Sequence, residues 1–240
     1  MIGILLALQV NNWNEGRKQK LVEKELIYGL ILDLEADIEA LEQNNRSNIR
    51  TKNAANNLLK VFNTNAEFSK ITLQSSEGPV QNDTILFLDN IQRSGFMVAP
   101  GVNTYTIEQI KSSGKYNSIQ NEKLRKAIFN HYKGLEKYKE WWQVKLDSKR
   151  IFDDIKYELM DPHLYNIPNM EYEKKQAIID KYLEDLNQVI RDLRKNPKFE
   201  LGINRMIYTM ERVAIENSRR IELSSELIEL LQDELIALNN

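Results

Sequence analysis

The last quarter of the chain repeats an apolar residue at steps of four and three. Ile203, Ile207, Met210, Ala214, Asn217, Ile221, Ser224, Ile228, Leu231, Leu235 and Leu238 keep this spacing over about five heptads. Such a period fits an α-helix and excludes a strand, whose side chains alternate every second residue. Related stripes recur upstream. Ile27, Ile31, Leu34, Ile38 and Leu41 line one helical face; Leu124, Ile128, His131, Leu135, Tyr138 and Trp142 line another. Only nine glycines and five prolines interrupt the 240 residues, too few for a strand-and-turn fold. The pattern predicts an all-α protein, an elongated antiparallel helical bundle with coiled-coil-like seams.

The breakers place the elements. A first helix should start near Arg17 and run to Asn63, either unbroken (about 70 Å at 1.5 Å per residue) or kinked at the Asn-rich run 43–57. Residues 63–81 read as a loop around Ser75-Ser76-Glu77-Gly78-Pro79. A short helix should follow, capped by Asn82 or Asp83 and ending at Gly95, with a turn at Pro100-Gly101. Thr104–Ser113 reads as a second short helix closed by Gly114. The central helix should open at Asn121 and close near Met160, before Asp161-Pro162. Pro168-Asn169 should open a further helix, 171–195, striped by Ile179, Tyr182, Leu186, Val189 and Leu193 and stopped by Asn196-Pro197.

The N-terminus is of a different character. Residues 1–14 carry no side-chain charge and include the unbroken apolar run Ile2–Leu8. Gln9-Val10-Asn11-Asn12-Trp13-Asn14-Glu15 follows, and Arg17-Lys18-Gln19-Lys20 turns basic. The run is shorter than the roughly 20 residues a spanning helix needs, and it lacks the basic leader and cleavage site of a signal peptide. It reads as the end of a membrane helix leaving the bilayer, with Trp13 at headgroup level.

Residues 2–15, IGILLALQVNNWNE, closely resemble the end of the membrane anchor in a large bacterial family, common in Bacteroidota, known as a domain of unknown function. A second likeness lies in Tyr105-Thr106-Ile107-Glu108-Gln109-Ile110-Lys111-Ser112-Ser113-Gly114-Lys115, then Ile119, Asn121-Glu122-Lys123-Leu124-Arg125 and His131-Tyr132. The resemblance implies a single transmembrane helix carrying a helical domain. This sequence starts inside that anchor, as a truncated form or one with a mis-assigned start would. On this reading residues 1–16 end the anchor and 17–240 form one helical-bundle domain. Ile2, Ile4, Leu5, Leu6, Leu8 and Trp13 would then contact the lipid bilayer. The protein would be a single-pass bacterial membrane protein. The family's basic N-terminus implies that the domain lies outside the cytoplasm, by the positive-inside rule; Arg17, Lys18 and Lys20 argue for the other side.

The remaining signals bound the chemistry. The net charge is −2 with cations spread along the chain, so no nucleic-acid footprint exists. There is no cysteine, hence no disulfide, thiolate metal site or cysteine nucleophile. Lys111-Ser112-Ser113-Gly114-Lys115 resembles the end of a phosphate loop, but Gln109 and Tyr116 stand where Gly and Ser/Thr are required. His131 and His163 are the two histidines, and neither has a Glu three residues before it, so the di-iron bundle motif is absent. His131 reads as a core histidine, and His163 as a solvated residue in a Pro-rich turn. No Gly-x-Ser-x-Gly elbow occurs. No catalytic, cofactor-binding or metal-ligating residues are assigned, and the chain is read as a non-enzyme.

Two features remain. Tyr138, Trp141 and Trp142, with Tyr132 and Phe152, concentrate aromatic rings on the central helix. They suit core packing, or a ligand cavity between helices. Asn217 and Ser224 are polar breaks in the C-terminal seam. A buried Asn there can fix register or partner number, so residues 203–238 are a candidate surface for a homo-oligomer or protein partner; a wet gap between helices would equally accommodate Asn217. If Asn217 is buried in such a seam, Asn217→Leu should stabilise the fold. The acidic pairs Asp37/Glu39 and Asp153/Asp154 read as solvated faces. The functions that compete are a membrane-anchored binding or sensing module, an oligomerising scaffold, and an enzyme built from scattered polar residues.

Overall fold

The computed structural model describes residues 2–62, 83–95, 102–159, 177, 188 and 191–239. The elements are α1 (Ile2–Phe62), α2 (Asp83–Ser94), α3 (Tyr105–Ser112), a 3-10 turn (Lys115–Ser118), α4 (Glu122–Leu159) and α5 (Pro197–Asn239). The fold is all-α. The helix expected over 171–195 lies mostly outside the described residues, as do the loop 63–81, the Pro100-Gly101 turn and His163. Residues 191–195 are helical, and Leu193 is buried.

The local chemistry explains the ends. Asn121 Oδ1 accepts the Lys123 and Leu124 N–H groups at 3.1 and 3.2 Å, capping α4. Asn196 Oδ1 accepts the Lys198 N–H at 2.9 Å, and Pro197 takes the first helical position of α5. Gly114 follows α3 at φ 67°, a left-handed conformation that a side chain would strain. α1 begins at Ile2 rather than near Arg17. No proline separates the apolar run from the charged one, so the helix continues through both. It also passes through the Asn-rich run as helix throughout.

The chain divides into two compact units that share α1, α4 and α5. Unit 1 comprises Met1–Gln43, Pro100–Tyr138 and Asn217–Asn240; unit 2 comprises Asn44–Ala99 and Lys139–Glu216.

Unit 1 is built on a continuous apolar core. α1 supplies Leu26, Ile27, Leu30, Ile31 and Leu34, and α3 supplies Ile107 and Ile110. Ile119 precedes α4, which adds Leu124, Ile128, Tyr132 and Leu135; α5 closes the core with Leu227, Leu231 and Leu235. Each fully buried aliphatic side chain contributes roughly 1.5–3 kcal/mol. The start of α3 approaches α1 at Gly29, where an added Cβ would stand 2.9 Å from Thr106 Cγ2.

Unit 2 has a more polar interior. Ala54, Ala55, Leu58, Ile91, Phe152, Phe199, Ile203, Met206, Met210 and Val213 are buried, and the Phe152 and Phe199 rings stack at 5.5 Å. So are Asn44, Asn48, Thr51, Asn57, Asn90, Lys145, Ser148, Asp153 and Thr209. The asparagines of α1 therefore weaken its apolar stripe without turning that face to solvent.

From Ile203 to Leu231 of α5 every second position of the expected seam is buried as read, as is Leu235, and the positions between them are each taken by the preceding residue. Ile203, Met206, Met210, Val213, Asn217, Arg220, Ser224, Leu227 and Leu231 are buried, whereas Ile207, Ala214, Ile221 and Ile228 are half-buried. Arg220 conceals the true row in the sequence, because a long cation at a core position breaks the apolar pattern.

Candidate functional site

The distinctive chemistry of unit 1 is a cluster of ionisable groups inside its core. Arg220 comes from the buried row of α5 and is 6% exposed. Its Nη1 donates to the His131 carbonyl at 3.3 Å, and its Nη2 lies 3.2 Å from His131 Nε2. A guanidinium only donates, so Nε2 accepts, and the imidazole is neutral with its proton on Nδ1. Burial, reinforced by the nearby Arg220 charge, lowers the His131 pKa to about 4.

Asp37 stands on α1 and is also buried. Its Oδ1 accepts the Asn103 N–H at 2.5 Å. Burial, with help from the charge of Asp33, pushes its pKa up to about 6 against the opposing effects of the Asn103 hydrogen bond and Arg220. Asp33 itself accepts the Thr106 N–H at 2.9 Å. The hydroxyls of Tyr132 and Tyr138 are both driven up by burial. Tyr138 donates to Asn217 Oδ1 at 2.7 Å. The buried Tyr132 hydroxyl has no hydrogen-bond partner among the described residues. Burial also lowers the Arg220 pKa, and Asp37, attracting the guanidinium, opposes that shift.

Unit 2 holds a second buried cation. Lys145 is 0% exposed, donates Nζ to Asn48 Oδ1 at 2.7 Å and lies 4.8 Å from the centroid of the Trp142 ring. Asn48 in turn donates to Asn44 Oδ1 at 3.0 Å. Burial lowers the Lys145 pKa to about 8. Ser148, one turn on, shares a hydrogen bond of 3.0 Å with Thr209 of α5.

The residues singled out from sequence fall as follows. Tyr138 and Asn217, chosen for separate reasons, are partners in unit 1. Trp142 belongs to unit 2 and packs against Lys145, and the side chain of Trp141 lies outside the described residues. His131 is the core histidine expected. The acidic pairs need correction. Asp37 and Asp153 are buried while their neighbours Glu39 and Asp154 are exposed. Asp37 follows Leu34 by three residues and precedes Leu41 by four, so it continues the core stripe. Asp153 receives Lys149 and Lys156, the latter at 2.9 Å. Arg220, Asp37 and Lys145 were missed because a charged side chain at a core register reads as an interruption. Their spacing was the available signal.

An open groove of about 340 Å³ in unit 2 is lined by Glu158, Asp192, Lys195, Asn196, Pro197 and Lys198. Its walls mix both charges and lack the apolar surface of a small-molecule site. Among the described residues no three His, Asp or Glu side chains gather as metal ligands.

Comparison with family models, curated proteins and solved structures returned no match.

Proposed function

We propose that this chain is a membrane-tethered helical binding or sensing module standing outside the cytoplasm. The start of α1 carries the reading. Ile4, Leu6, Leu8, Val10 and Trp13 are 53–70% exposed, and the same helix continues without a break into the core of unit 1. A run of exposed apolar side chains marks an interaction or membrane surface. Arg17 lies 5.8 Å from the Trp13 ring centroid, a pairing suited to the bilayer interface. Among the described residues no helix is long and apolar enough to cross a membrane. The tether therefore rests on this exposed end together with the family resemblance of residues 2–15, which also supplies the extracytoplasmic side. The buried ionisable cluster of unit 1 supports the sensing half, since perturbed titratable groups gather at functional sites.

Vesicles containing brominated lipids test the tether directly. Trp13 fluorescence, taken as the difference between the parent chain and Trp13→Phe, should be quenched. An unquenched Trp13 on a chain that stays in the aqueous fraction would sink the proposal. Protease digestion of intact spheroplasts then reports the side.

A second reading is an oligomerising scaffold. Leu201, Tyr208 and Ile215 are exposed at seven-residue steps along α5, a spacing suited to a partner helix. Sedimentation should then give a mass above the 28.1 kDa monomer; a monomeric mass at high concentration would exclude it.

A further inference from the structure

α5 carries a second apolar stripe on its outer side. Leu201, Tyr208, Ile215, Leu223, Leu230 and Ile236 are 36–69% exposed and follow one another at steps of six to eight residues. Two turns of an α-helix take about 7.2 residues, so these side chains keep to one side of the helix. The buried row, with Ile203, Met210, Asn217, Ser224 and Leu231, lies on another side. A line of exposed apolar side chains marks an interaction surface, and one this narrow suits a single partner helix.

The charges beside the stripe select the partner. Residues 197–220 hold Lys198, Arg205, Arg212, Arg219 and the buried Arg220 against Glu200, Glu211 and Glu216. Glu211 is already held by Lys52 of α1 at 2.6 Å. Residues 221–239 hold Glu222, Glu226, Glu229, Asp233 and Glu234 and no lysine or arginine. A second α5 laid parallel would set the acidic half against itself. Laid antiparallel, it sets the basic half against the acidic one.

The antiparallel match extends to single residues. About a two-fold axis at Arg219, Tyr208 faces Leu230 of the second copy, and Ile215 faces Leu223 of the second copy. Arg205 faces Asp233, and Arg212 faces Glu226. The members of each pair stand equally far before and after Arg219 in sequence. Leu201 meets Ala237, beside Ile236. Glu216 and Glu222 also oppose each other, but Arg219 stands three residues from both, and each copy brings one. A two-fold seam of this kind closes at two copies.

We propose that α5 pairs with the α5 of a second copy of this chain, antiparallel and centred on Arg219, in a closed homodimer. This pairing rests on the oligomerising reading and is independent of the membrane tether.

Sedimentation equilibrium on the full chain tests it. The parent should weigh twice the 28.1 kDa monomer. Asp233→Arg sets a like charge against Arg205 at two symmetry-related places, so Kd should rise by roughly tenfold. Adding Arg205→Asp restores the pair with its charges exchanged, and Kd should return to within about threefold of the parent. The chain has no cysteine, so single introduced thiols report the direction independently of charge. Under a short bismaleimide, Arg219→Cys chains should cross-link to each other and Leu201→Cys chains should not. A monomeric parent at high concentration overturns both this pairing and the oligomerising reading. A dimer that is indifferent to Asp233→Arg, or that cross-links through Leu201→Cys, overturns the antiparallel pairing and leaves the oligomerising reading standing.

Discussion

Tyr138 of α4 donates its hydroxyl proton to Asn217 of α5 at 2.7 Å, with both residues buried. The asparagine that interrupts the C-terminal stripe is therefore satisfied within its own chain. This reverses the expectation for Asn217→Leu. Leucine would fill the space but leave the Tyr138 hydroxyl without its acceptor in a dry environment. A buried group orphaned in this way costs about 1–3 kcal/mol. Urea denaturation should show Asn217→Leu destabilised by roughly that amount, and Tyr138→Phe with Asn217→Leu should recover most of it. A single variant that unfolds at higher urea than the parent would show that the pair contributes nothing.

Two of the most perturbed groups pull the acid response in opposite directions. Asp37 has a folded pKa raised to about 6, so it takes up a proton on folding and its contribution to stability falls as pH rises from about 4 to 6. His131 has a folded pKa lowered to about 4, so the unfolded chain binds its proton first, and its contribution rises from pH 4 to 6.5. Each swing is of order 2–3 kcal/mol and they run in opposite directions. Relative to the parent, Asp37→Asn should lose stability on acidification through this window. His131→Gln, which keeps an acceptor for Arg220, should gain it. Denaturation at stepped pH measures both; two variants that shift in the same direction would refute the opposition.

Much of the helical frame was legible before the structure. The breakers at Gly95, Gly114, Asn121 and Asn196-Pro197 fall where elements end or begin, because each acts through the backbone within a few residues. The stripes Ile27–Leu41 and Leu124–Tyr138 point inward as read. What stayed hidden was every charged residue at a core register. Arg220 stands in the buried row of α5 where Ile221 was read, and Asp37 passed as a solvated face. A single sequence shows position on a helix but not the polar partner that makes burial tolerable. Those partners, the Asn103 N–H and the His131 ring, come from far along the chain.

Gly29 should resist enlargement. A Cβ there would meet Thr106 Cγ2 at 2.9 Å and Oγ1 at 3.0 Å. Gly29→Ala is expected to cost about 1–3 kcal/mol by overpacking, even though alanine is intrinsically the better helix former by about 1 kcal/mol. Thr106→Ala removes both obstructing atoms, so the double variant should be more stable than the sum of the singles predicts. Strict additivity in thermal melts would mean that α3 shifts freely at this crossing.

Lys145 offers the reverse titration in unit 2. Its ammonium is fully buried on Asn48 and the Trp142 ring, and burial lowers its pKa from 10.5 to about 8. The unfolded chain therefore holds this proton more tightly. Stability should rise with pH from about 8 towards 10.5 as the folded state sheds the charge, by at most about 3 kcal/mol. Lys145→Met keeps the length of the side chain and carries no charge, so it should abolish this portion of the rise. Other tyrosines and lysines titrate in the same range, so the informative quantity is the difference between the two denaturation profiles. That difference should be largest below pH 8 in favour of methionine, offset by the lost donor to Asn48, and should shrink as the pH is raised. A difference that does not change with pH would mean that Lys145 keeps its ordinary proton affinity.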